Sequence, residues 1–115
     1  MNILVTGSAG LIGAKFCDWL IENTDHTIVG IDDLRGGYRE NIHPEVKFIK
    51  KNLLEDLTEI FDYHRPEIIY HFAAYAAEGL SPFIRRFNYQ NNLIASVNLI
   101  NNAIKFDIKR FVFTS

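Results

Sequence analysis

A turn with regularly spaced glycines, placed between an apolar run and an amphipathic run, constrains this chain more than any other feature. Ile3-Leu4-Val5 leads into Thr6-Gly7-Ser8-Ala9-Gly10-Leu11-Ile12-Gly13, with the glycines three residues apart. After a strand, the first glycine permits a tight turn that a Cβ would obstruct. The second lets phosphates approach the backbone, and the third lets the following helix pack closely on its strand. The helix then offers its unpaired N–H groups and positive dipole end to an anion. Spacing alone is weak evidence, because glycine makes up about 7% of average sequence. What carries the reading is the order strand, glycine loop, helix, strand, acidic residue. A second β-branched run, Thr27-Ile28-Val29-Gly30-Ile31, ends here in Asp32. A carboxylate in that place accepts the hydroxyl protons of an adenosine ribose and repels a 2′-phosphate, which predicts a dinucleotide site that prefers NAD to NADP.

The rest of the chain continues the alternation. Residues 2–6 and 27–32 read as strands, and Ile12, Phe16 and Leu20 repeat at helical spacing from Leu11 to about Asn23. Residues 33–45, with Gly36, Gly37, Asn41 and Pro44, read as loop. Residues 46–49 form a third strand with alternating burial. Leu57, Ile60 and Phe61 mark a helix over residues 56–63, ended by Pro66. A fourth strand follows over 67–72. A long helix spans about 82–106 with Phe83, Phe87, Ile94, Val97, Ile100 and Ile104 as its apolar face, and a fifth strand covers 110–114. Strands separated by helices imply an α/β doubly wound parallel sheet with ligands at the carboxyl ends of the strands; read as Rossmann-type, its five strands are expected in the order 3-2-1-4-5.

Bulk properties exclude other classes. The chain's 115 residues suit one domain, and 48% hydrophobic with 23% charged residues is ordinary for a globular protein. A net charge of −2 supports neither nucleic-acid nor membrane-surface binding. No apolar run approaches the roughly 18–20 residues that span a bilayer. The single cysteine, Cys17, excludes an internal disulfide and points to a reducing, cytoplasmic setting. With one cysteine and scattered histidines at 26, 43 and 64, no metal site is expected.

At this point the sequence resembles the extended short-chain dehydrogenase/reductases, in particular the NAD-dependent nucleotide-sugar epimerases and dehydratases. Thr6-Gly7-Ser8-Ala9-Gly10-Leu11-Ile12-Gly13 matches the family's TGxxGxxG, and Gly30-Ile31-Asp32-Asp33-Leu34 resembles its second-strand end. His71-Phe72-Ala73-Ala74 is similar to its H-[FL]-A-[AG], Asn91-Asn92 to its helix asparagine region, and Phe111-Val112-Phe113-Thr114-Ser115 to its fifth strand. The resemblance implies that Gly7, Gly10, Leu11, Ile12 and Gly13 hold pyrophosphate, that Asp32 binds ribose, and that Asn52 and Leu53 bind adenine. Phe72, Ala73 and Ala74 would line the path to nicotinamide. Asn91 would meet either the nicotinamide half or the backbone of a neighbouring loop.

Departures from the family pattern are also legible. Asn52 replaces the usual aspartate after the third strand, Ala76 stands where some epimerases have lysine, and the V-x-G-T stretch reads Leu93-Ile94-Ala95-Ser96. The family's Tyr-x-x-x-Lys is absent: none of Tyr38, Tyr63, Tyr70, Tyr75 and Tyr89 has lysine four residues on. The chain therefore reads as an N-terminal fragment that holds cofactor without a catalytic residue or the substrate domain. In a full-length parent the resemblance implies a nucleotide-sugar substrate and a homodimer through the long helix. Two alternatives stay open: a non-catalytic dinucleotide-binding regulatory module, and an NADPH-dependent reductase using Arg35 and Arg39. Those arginines read more simply as solvated loop charges. His71, at the end of a buried strand, reads as a core histidine rather than a catalyst, and Cys17 as packing.

Overall fold

The computed structural model describes residues 1–35, 37–72 and 82–113, with residues 82–91 described by their backbone. Five parallel strands, β1 (Asn2–Thr6), β2 (Thr27–Asp32), β3 (Lys47–Lys50), β4 (Ile68–His71) and β5 (Arg110–Phe113), form one sheet in the order β3-β2-β1-β4-β5. Among the described residues three α-helices lie between them, α1 (Leu11–Asn23), α2 (Thr58–His64) and α3 (Pro82–Lys105), while β2 passes to β3 through a connection with one 3₁₀ turn. The order is the one expected of a Rossmann-type sheet, whose parallel neighbours are joined by crossover connections.

The central strand explains the two-sided burial. Ile3-Leu4-Val5 is apolar at every position, and β1 pairs with β2 (Val5 opposite Gly30) and with β4 (Val5 opposite Tyr70). Ile3 and Val5 pack with Cys17 and Leu20 of α1 and with Ile28 and Val46. Leu4 faces the other way, into a cluster with Val29, Ile31 and Ile69, Ile60 and Phe61 of α2, and Leu99 and Ala103 of α3. Each fully buried valine, leucine, isoleucine or phenylalanine among them contributes roughly 1.5–3 kcal/mol relative to exposure.

Three local differences from the sequence expectation have identifiable causes. The third strand begins one residue late because the Val46 N–H closes a turn onto the His43 carbonyl (3.0 Å). Its burial does not alternate cleanly, since β3 is an edge strand on which Phe48 and Ile49 are both half-buried. The second helix begins at Thr58, not 56, because the Asp56 carboxylate accepts the Thr58 N–H (2.9 Å) from outside the helix. It ends at His64 and is capped by Arg65, which adopts a left-handed backbone (φ 47°) and donates its N–H to the Phe61 carbonyl.

The largest correction concerns α3. Of its expected apolar face, Ile94, Val97, Ile100 and Ile104 are exposed, while Leu99, Asn102 and Ala103 are buried and Ala95 packs against the same cluster. Leu99 fills the cluster with Ala95 and Ala103 beside it, and the large aliphatic stripe is left facing outward. Phe83 and Phe87 lie outside the described side chains.

Candidate functional site

The carboxyl ends of β1, β2, β3 and β4 share one edge of the sheet, and the glycine turn occupies its centre. Gly7 leaves β1 in a left-handed conformation (φ 70°), with its N–H bonded to the Ile31 carbonyl at 2.8 Å. Its own carbonyl turns back to accept the Gly10 N–H (3.1 Å). The first backward helical bond is Ala14 N–H to Gly10 carbonyl (2.9 Å), so the amides of Leu11, Ile12 and Gly13 precede the intrahelical ladder. Among the described residues no side chain caps this end, and its first turn carries no acidic residue. The positive end of α1 is therefore open to an anion.

The three glycines have different reasons to be glycine. A Cβ on Gly13 would lie 2.1 Å from the Gly7 carbonyl oxygen, so packing within the protein forbids it. A Cβ on Gly10 would meet only that oxygen, at 3.4 Å, and the backbone there (φ −77°, ψ 172°) suits any residue. Among the described residues, nothing else occupies the space over Gly10. That space is what a pyrophosphate approaching the backbone requires, so the residues present fit the group. Leu11 and Ile12 project from the first helical turn, largely exposed.

Asp32 ends β2 beside this turn. One carboxylate oxygen accepts the Ala9 N–H (3.0 Å) and the other the Leu34 N–H (2.7 Å). Each oxygen retains a further lone pair for a hydroxyl donor. Arg35, a candidate for a 2′-phosphate, lies 3.5 Å from the Asp33 carboxylate, and the Arg39 guanidinium stacks 5.3 Å from the Phe48 ring centroid. Asn52 follows β3; its Oδ1 accepts the Leu54 N–H (2.9 Å) and its N–H donates to Glu55 (2.8 Å). Leu53 has its side chain in the core, and its carbonyl accepts the Asn98 amide at 2.6 Å. Phe72 packs its ring at a tilt against Phe16 (centroids 5.4 Å apart, 59° between planes) and donates its N–H to the Thr6 carbonyl. Ala73 and Ala74 lie outside the described residues. Asn91 is placed on α3 by its backbone, and its side chain is outside the description.

Beneath the edge, the buried His71 ring links three elements. Its Nδ1 meets the Thr6 hydroxyl (2.6 Å) and its Nε2 the Ser96 hydroxyl (3.1 Å), tying β4 to β1 and α3. Burial pushes its pKa down to about 4, so it is neutral at physiological pH. Cys17 is buried as well, and burial, with a smaller contribution from Asp18, pushes its thiol up to about 12. Among the described residues no group of acidic, histidine or cysteine side chains could hold a metal, and no helix is long and apolar enough to cross a membrane.

Sequence reading missed the residues that brace this edge. Asn98 donates to the carbonyls of Leu53 and Glu55, holding the loop after β3 against α3. Asn41 and Gly37 reach the glycine turn from the β2–β3 connection. The available signal was an asparagine in a helix interior, where it is a poor helix former, and a glycine and an asparagine inside a loop.

Comparison with known proteins agrees with this geometry. The model of the NAD dependent epimerase/dehydratase family matches residues 3–115. A UDP-glucose 4-epimerase of Mycolicibacterium smegmatis is 34% identical over 100% of this chain and 38% of its own length. Among solved structures, the UDP-glucose 4-epimerase of Thermotoga maritima with UDP-glucose superposes with a TM-score of 0.93 at 37% identity, over 100% of this chain and 38% of that one. The Thermus thermophilus UDP-glucose 4-epimerase in complex with NAD gives 0.88 at 30% identity, over 100% of this chain and 37% of that one. The chain thus spans little more than a third of the length of these relatives. From the glycine turn to the fifth strand it belongs to the NAD dependent epimerase/dehydratase family.

Proposed function

We propose that this chain is the NAD-binding part of a nucleotide-sugar epimerase or dehydratase. The observation that carries the reading is the open, uncapped start of α1, with free space over Gly10 and the Asp32 carboxylate beside it. The amides of Leu11, Ile12 and Gly13 hold the pyrophosphate, Asp32 the adenosine ribose, and the Asn52-Leu53 edge the adenine. Phe72, Ala73, Ala74 and Asn91 belong to the nicotinamide end. Bound NAD supplies a hydride acceptor for a sugar carbon; the side chains here bind and orient it, and none acts as a catalytic residue. Support comes from UDP-glucose 4-epimerase relatives, one of them solved with NAD. The buried, protonated Cys17 suits a reducing cytoplasm.

Calorimetric titration with NAD and NADP tests the assignment. NAD is expected to bind at least about tenfold tighter, a difference of about 1.4 kcal/mol, because Asp32 repels a 2′-phosphate and Arg35 and Arg39 are otherwise engaged. Tighter NADP binding would overturn it in favour of an NADPH-dependent reductase.

The outward stripe Leu93, Val97, Ile100 and Ile104 on α3 is proposed as the contact with a second copy in the whole protein. Sedimentation is expected to show a dimer that Val97→Asp converts to monomer. A monomer before substitution, or a dimer unchanged by it, sinks this part of the reading.

A further inference from the structure

Ala9, at the heart of the glycine turn, is fully buried and held from both sides by the strand and connection that follow. Its N–H donates to Asp32, and its carbonyl accepts both the Tyr38 N–H (3.2 Å) and the Asn41 side-chain amide (3.2 Å). Asn41 is presented by a short 3₁₀ turn, Arg39–Asn41, closed by its own N–H on the Tyr38 carbonyl (3.0 Å). Gly37 comes so close that a Cβ there would lie 2.3 Å from the Ala9 oxygen and 2.9 Å from the Gly10 nitrogen.

The Ala9 carbonyl and the Gly10 N–H share one peptide plane, so fixing one fixes the other. That plane is the last before the amides of Leu11, Ile12 and Gly13. We infer that Asn41 is a positioning residue for pyrophosphate binding: by holding the Ala9 carbonyl it sets the direction in which the turn enters α1. The inference rests on the NAD-binding reading. Asn41 is an exposed residue, so its side chain holds this plane by donating a hydrogen bond and not by filling the core.

The test measures the affinity of the protein for NAD, ADP and adenosine in Asn41→Ala and in the similar-sized Asn41→Leu. Both variants are expected to weaken NAD and ADP about 3- to 10-fold, the range a single lost hydrogen bond supports, and adenosine by less than about twofold. Unchanged ADP affinity overturns the inference, as does an equal loss for adenosine, or restoration by leucine, which would signify packing. In the unsubstituted protein, the Asn41 side-chain amide resonances are expected to shift with ADP and not with adenosine. Their indifference to ADP overturns the inference without reliance on a variant. If the unsubstituted protein binds neither NAD nor ADP, the NAD-binding reading fails and carries this one with it. If it binds both and the variants match it, only the role of Asn41 fails.

Discussion

Gly13→Ala is expected to destabilise the protein by about 2 kcal/mol or more and to weaken NAD binding at least about tenfold. Helix propensity argues the opposite, since alanine is favoured over glycine by roughly 1 kcal/mol in a helix interior. Packing decides the sign. The new Cβ would lie 2.1 Å from the Gly7 oxygen, 2.8 Å from the Gly7 carbonyl carbon and 3.3 Å from the Ser8 Cα. All three are backbone atoms of a turn anchored to Ile31, so nothing flexible can move aside. Gly10→Ala is the paired control. It meets only ordinary contact within the protein, so stability is expected to change by less than about 0.5 kcal/mol, as at other surface positions, while NAD affinity falls. Urea denaturation and NAD titration of the two variants check both halves. A Gly13→Ala protein as stable as the original would refute the packing argument. Unchanged NAD affinity in Gly10→Ala would refute the placement of the pyrophosphate.

The second large effect is a loss of stability in mild acid that originates at His71. Unfolded, the imidazole has the ordinary value near 6.5; folded, burial holds it down to about 4. Between those values the unfolded chain takes up a proton that the folded chain refuses, so the stabilisation is complete above about pH 6.5. It is lost progressively as pH falls toward 4, and the loss saturates below that. The expected size is about 2–3 kcal/mol across the window. His71→Asn removes the titration. It also costs the Ser96 contact and the ring packing on Phe113 (5.4 Å) and Phe111 (6.1 Å), so the variant is weaker at pH 7. The checking quantity is therefore the stability difference between the two proteins as a function of pH, in which the carboxylates cancel. That difference is expected to shrink by about 2–3 kcal/mol from pH 7 to pH 4. A constant difference would mean that His71 does not titrate with folding.

How much of this was legible beforehand follows from the range of each interaction. The glycine turn and the alternation of strands and helices were legible because they depend on local chemistry: β-branched runs, helical spacing, and a residue without a Cβ at Gly7, where φ is positive. Asp32 was legible as a carboxylate at a strand end. That its two oxygens already accept the Ala9 and Leu34 amides was not, because Ala9 is brought to it by the pairing of β1 with β2. The start of α2 was misplaced for a smaller reason: Asp56 reads equally well as a first helical residue or as an acceptor just outside the helix.

The helix α3 shows the limit most clearly. Its sequence carries two stripes, a large aliphatic one and a smaller one of Ala95, Leu99, Asn102 and Ala103, and hydrophobicity alone favours the first. The second is buried, because Leu99 fits the cluster made by Leu4 and Ile69 of the sheet and Phe61 of α2, with Ala95 and Ala103 packed beside it. By itself, then, the sequence determined the parallel α/β architecture, the glycine turn and the carboxylate beside it, since each is written in adjacent residues. Only the tertiary structure decided which face of α3 is buried, that His71 joins three elements, and that Asn41 reaches across to the turn. Those depend on contacts between residues far apart in the chain, whose geometry exists only once the sheet has assembled.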